Sequence, residues 1–116
     1  MQNLPATCAA TYDPPIYQTI YDSILHPTCA SGTGTCHTAD AAKGGLVFEN
    51  ADDAYGLLVG TGGGKARVVP GDPACSEIVE RLASTDPNFH MPPGPNSIPA
   101  GDQCTIIKWI QSGAKR

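Results

Sequence analysis

Two cysteines and a histidine stand close together in His26-Pro27-Thr28-Cys29-Ala30-Ser31-Gly32-Thr33-Gly34-Thr35-Cys36-His37-Thr38. A histidine directly after the second of two nearby cysteines is the sequence form of covalent c-type haem attachment. Each thiol would add to a haem vinyl group, and the imidazole of His37 would bind the iron from one side. Two residues usually separate the cysteines; here six do. The intervening Ala30–Thr35 is small and punctuated by glycine, so it can bulge outward while both thiols reach the ring.

A second iron ligand is expected from Asn88-Phe89-His90-Met91-Pro92-Pro93-Gly94-Pro95. Three prolines and a glycine cannot continue a helix, and they make a stiff loop that fixes Met91. A thioether is a soft donor suited to the remaining axial position, where it raises the reduction potential. His90 is the rival next door, and Met91 is preferred. Axial ligation by His37 and Met91 fills the iron's coordination sphere, which favours a monohaem electron carrier over an enzyme. The alternative is a haem-free extracellular module, for binding or as a spacer, with Cys29 and Cys36 joined as a disulfide. A metal site built from Cys29, Cys36, His37 and either His26 or His90 is a further alternative, although structural zinc sites favour shorter cysteine spacing.

The elements that must position these groups read as helices. Asp13-Pro14-Pro15 forms a helix start, with Asp13 as cap and proline in the first turn. Ile16, Ile20 and Ile24 recur every fourth residue, and Tyr17, Tyr21 and Leu25 follow one step on, as core positions. Pro27 is expected to end this helix. Asn50 caps a second helix over residues 51–59, with Ala54, Leu57 and Leu58 on one side. A third begins at Asp72, its cap, with Pro73 as its first residue. Cys75, Ile78, Val79 and Leu82 share its inner face, and Glu77 and Arg81 pair on its wet face. A last helix spans about 101–113, capped by Asp102 and ended by Gly113, with Ile106, Ile107 and Ile110 inward and Trp109 on the flank. The first and last helices should cross, bringing Ile20 and Ile24 near Ile106 and Ile110.

Composition narrows the function. The chain has 116 residues, which suits one domain over 1–116 with residues 1–12 as an irregular lead. Thirteen glycines and eleven prolines leave little room for regular structure, so a covalent staple would help. The net charge of −4 gives no footprint for nucleic acid. No apolar run is long enough for a membrane span, and no signal peptide is visible. Met1-Gln2-Asn3 reads as an introduced start or as a mature chain whose export signal has gone. Five cysteines point to an oxidising compartment, periplasmic or extracellular. With Cys29 and Cys36 assigned to haem, Cys8, Cys75 and Cys104 remain. A Cys75–Cys104 disulfide would close a loop of about thirty residues, for roughly 3–4 kcal/mol by loop entropy. Gly60-Thr61-Gly62-Gly63-Gly64-Lys65 is not a phosphate loop: Val59 stands at its first glycine and Ala66 where Ser or Thr would bind magnesium.

Taken together, Cys…Cys-His, Lys43-Gly44-Gly45-Leu46, Arg67-Val68-Val69-Pro70-Gly71-Asp72-Pro73, Met91-Pro92-Pro93-Gly94 and the closing Trp109-Ile110-x-x-Gly113-Ala114 resemble the small cytochrome c-like domains of planctomycetes and myxobacteria. The likeness covers about residues 16–114. It implies an all-α, class I cytochrome c-like fold of three to four helices around one haem c. It implies thioethers at Cys29 and Cys36, axial ligands His37 and Met91, and Arg67 beside a haem propionate. The implied partners are redox proteins, or a larger electron-transfer assembly.

Overall fold

The computed structural model describes residues 8–29, 47–62, 65–84, 86, 91 and 98–116. Among them are helices and no strand, so the all-α class holds. Helix α1 is continuous but of mixed pitch: Tyr17–Ile20 is α-helical, Tyr21–Leu25 is π-helical, and His26–Cys29 is α-helical again. Helix α2 is Ala51–Val59, α3 is Glu77–Ala83 and α4 is Ala100–Gln111, with a 3-10 turn at Pro73–Cys75 before α3.

Two expectations about α1 are corrected. Asp13 is not its cap. Ile16 is, in extended conformation and half-exposed, so the buried stripe begins at Tyr17. Nor does Pro27 end it. The His26 N–H reaches back five residues to the Tyr21 carbonyl, which widens the turn ahead of the proline. In a tight α-turn the Pro27 ring would collide with the carbonyl four residues earlier; the wider π-turn is the form of helix that accommodates it.

α2 forms as its cap predicts. Asn50 Oδ1 accepts from the amides of Asp52 (2.9 Å) and Asp53 (3.1 Å), and both of those carboxylates lie in the first turn, where the helix dipole favours them. Ala54 and Leu58 are fully buried and Leu57 partly so. Gly60, at φ 95°, closes the helix in the left-handed conformation that glycine tolerates.

Val69-Pro70-Gly71-Asp72 is a type II turn, with Gly71 at φ 82° and the Asp72 N–H on the Val69 carbonyl (2.9 Å). The Gly71 N–H donates to the Ile110 carbonyl of α4 at 2.7 Å. Asp72 is not the cap of α3. Pro73–Cys75 coils as a 3-10 turn, and Ser76 takes the cap position. The buried Ser76 hydroxyl spans the turn instead, accepting from the Val69 N–H (2.8 Å) and donating to the Asp72 carbonyl (2.9 Å).

α4 packs against α3 and against the first segment of α1. Ile20, Ile24, Ile106 and Ile110 all lie in one core, as expected of the crossing. Pro99 rather than Asp102 occupies the cap of α4. Trp109 is not on the flank. It is buried, with its ring centroid 5.3 Å from that of Tyr17, and its Nε1–H donates to the Lys115 carbonyl (2.9 Å). Gly113 ends α4 as predicted, at φ 112°. Its N–H bonds the Ile110 carbonyl and that of Ala114 the Trp109 carbonyl, the paired pattern of a Schellman stop.

The lead segment is irregular over residues 8–12 and lies along the start of α4. The Thr11 N–H donates to the Gly101 carbonyl and the Tyr12 N–H to Thr105 Oγ1. There Cys8 is joined to Cys104 by a disulfide, and Cys75 is a free, half-buried thiol. The Cys75–Cys104 pairing is therefore wrong. Cys75 sits on the 3-10 turn, whereas Cys104 is reached by a segment 96 residues earlier in sequence.

Candidate functional site

α1 leads into the Cys-His motif. Its last residue is Cys29, and the chain meets α1 again after residue 46. The Tyr21 hydroxyl donates to the Phe48 carbonyl at 2.5 Å, and the Tyr17 hydroxyl to the Ala51 carbonyl at 2.9 Å. The chain thus leaves α1 at Cys29, and Phe48 and Ala51 are pinned back onto it. Burial, before any neighbouring charge, raises both phenols above their ordinary pKa, so both keep the proton that makes the bond. Sequence periodicity marks these tyrosines as core; their role as clamps was not read from it. The signal that could have found it is their i, i+4 spacing just ahead of the loop. His26 is half-buried, its ring 5.6 Å from that of Tyr21.

α3 holds the backbone of Met91. Arg67 is buried at the C-terminal end of α2. Its N–H donates to the Leu58 carbonyl (2.7 Å) and its Nη1 to the Leu57 carbonyl (3.0 Å). A guanidinium suits this helix end, where orphan carbonyls carry partial negative charge. The Arg67 carbonyl accepts from the Ile78 N–H (3.2 Å) in the first turn of α3. At the far end of α3 the Arg81 carbonyl accepts from the Met91 N–H (3.0 Å). The Met91 side chain is half-buried against the core. On the wet face, Glu77 pairs with Lys65 (2.5 Å) and, as predicted, with Arg81 (3.2 Å). Lys65 first, and Arg81 after it, hold the Glu77 carboxyl below the usual range against the burial that would raise it.

Arg67 and Met91 are therefore brought to the same short helix, bonded at Ile78 and Arg81, about one turn apart. Cys36, His37 and His90 lie outside the described residues, as do the side chain of Cys29 and any pairing it makes with Cys36. An open depression of about 350 Å³ beside α2 is lined by Asp52, Asp53, Gly56, Leu57, Thr61 and Gly62. It holds no thiol, imidazole or thioether, so it has none of the groups that covalent haem needs. Among the described residues no three His, Cys, Asp or Glu side chains converge as a metal site.

The planctomycete cytochrome C family matches residues 34–95, just over half of the chain. The chain belongs to that family. The matched stretch contains Cys36, His37, Arg67 and Met91, and begins after Cys29. No curated protein and no solved structure matches the chain. Membership makes the all-α fold a cytochrome c-like one and gives the protein a general role in haem binding and electron transfer, with haem c as the implied group. Cytochrome c domains are typically exported, and no described helix is long and apolar enough to cross a membrane. The donor set fits that group: thiols, an imidazole, and a thioether whose backbone is fixed at the core's edge. The departure is the first thiol. A two-residue spacing would put it at position 33, where this chain has Thr33.

Proposed function

We propose that residues 1–116 form a single monohaem c-type domain that carries electrons, with haem c joined to Cys29 and Cys36 and held axially by His37 and Met91. The observation that carries this reading is a family match running unbroken from before Cys36-His37 through Met91. Bound haem supplies one-electron exchange at its iron. The Cys29 and Cys36 thiols would attach it covalently. His37 and Met91 would hold its iron, and a thioether ligand would raise the potential. Arg67 is offered to a propionate. With His37 and Met91 both holding the iron, no coordination site would be left for a substrate, which favours a carrier over an enzyme. Its setting is an exported one, periplasmic or extracellular, and its partners are redox proteins. The net charge of −4 favours partners with a basic or neutral face.

The test is an absorption spectrum of protein matured by haem-attachment machinery, oxidised and reduced, before and after acid–acetone extraction. Haem retained after extraction is the expected result. A weak charge-transfer band in the oxidised spectrum, lost in Met91→Ala, assigns the second ligand. Colourless protein from cells that mature other c-type cytochromes would sink the reading and favour the haem-free module with a Cys29–Cys36 disulfide.

A further inference from the structure

We infer that Arg67 is a positioning residue for the Met91 thioether, acting through α3; the ligand role of Met91 in this inference rests on the function proposed above. Three links carry it. The Arg67 side chain and N–H lock onto the last carbonyls of α2, at Leu57 and Leu58. Its carbonyl takes the Ile78 N–H at the start of α3, and the Arg81 carbonyl near the end of α3 takes the Met91 N–H. α3 has only seven residues. A helix that short has little stability of its own, so its position is set by what holds its ends and its buried face. Ile78 and Arg81 are separated by about 4.5 Å of helix rise, so a shift at Arg67 reaches the Met91 backbone without passing through a flexible segment. The arginine sits 8% exposed, so its contacts with α2 are not readily exchanged for water.

The experiment compares Arg67→Met with Tyr55→Phe in the full haem-loaded chain. Tyr55→Phe removes a hydrogen bond to the Ala114 carbonyl, past the end of α4, while keeping the Arg67 bonds to Leu57 and Leu58, and serves as the stability control. Imidazole is titrated into the oxidised protein, where it competes with Met91 for the iron. Loosening Met91 should make imidazole bind about fivefold more tightly in Arg67→Met and leave Tyr55→Phe unchanged. Arg67→Lys, which keeps one donor for the Leu57 carbonyl, should recover most of the wild-type behaviour. An Arg67→Met protein with altered reduction potential but unaltered imidazole affinity would confine Arg67 to the charge of the haem and overturn the inference. Amide exchange at Met91 gives a second readout, independent of haem. It should quicken by about fivefold in Arg67→Met relative to Tyr55→Phe in loaded and haem-free chain alike. If the wild-type chain carries no haem, the proposed function fails while this exchange still decides the positioning role. An unchanged rate overturns it.

Discussion

The end of α4 and the end of α3 are held in different ways. At the end of α4, Trp109 is buried against Tyr17, its indole N–H holds the Lys115 carbonyl, Tyr55 holds the Ala114 carbonyl, and Arg116 pairs with Asp52 while lying 5.1 Å from the Tyr17 ring centre. The end of α3 receives Met91 through a backbone hydrogen bond and a half-buried side chain. One end is fastened by large rings and several polar tips. The other is fastened by the Met91 backbone. Large aromatic side chains build a scaffold that resists change; a backbone tie at Met91 leaves its side chain free for the ligand role proposed above.

The strongest blow to the scaffold is loss of the Cys8–Cys104 bond. It spans 96 residues, and loop entropy puts its contribution at about 4–5 kcal/mol. Cys8→Ser should lower the urea midpoint accordingly, and reductant should do the same to wild type but add nothing to the variant. Trp109→Phe removes the indole donor and part of a buried ring. It should cost about 2 kcal/mol in the same assay, with no loss of the Met91-dependent band. Gly113→Ala places a methyl group on a residue at φ 112° and should cost about 1–2 kcal/mol.

The smallest effect lies on the α3 side. Glu77 has a folded pKa below its ordinary 4.5, so its pairs stabilise the fold above that value and are lost as pH falls through the lowered one. Glu77→Gln should therefore lose less stability than wild type on acidification below pH 4.5, by less than about 1 kcal/mol because the pairs are partly exposed. An equal acid slope in the two proteins would mean that the wet face of α3 contributes nothing to holding it.

What the sequence discloses here is local. Asn50 and its helix are legible because a side-chain cap and its two amides lie within three residues. Gly113 is legible because φ near 112° suits glycine. Cys104's partner is not, since it comes from the other end of the chain and no local pattern encodes it. Asp72 and Asp102 look like caps by type, yet Ser76 and Pro99 hold those positions; before α3 the Ser76 hydroxyl bonds the Val69 N–H and the Asp72 carbonyl, so the turn closes one step beyond Asp72. Of the site, the prolines expected to stiffen the loop at Met91 lie outside the described residues, and the Met91 anchor on Arg81 is not legible, because a backbone bond leaves no mark on residue type. The readings at Cys36 and His37 rest on their motif and the family match.

The π-turn at Tyr21–Leu25 amounts to one residue more than an α-helix would use between Tyr17 and Cys29. Each residue of an α-helix advances the chain by about 100° around the axis. A codon deletion within 21–25 that restored plain α-helix would therefore leave the backbone of Cys29 close to its present bearing, because five residues of π-helix turn the chain about as far as four of α-helix. Forcing α pitch on the same five residues would instead turn the Cys29 backbone by about a quarter-turn, so the wide pitch of that stretch is what lets an extra residue sit in α1 without re-aiming its end.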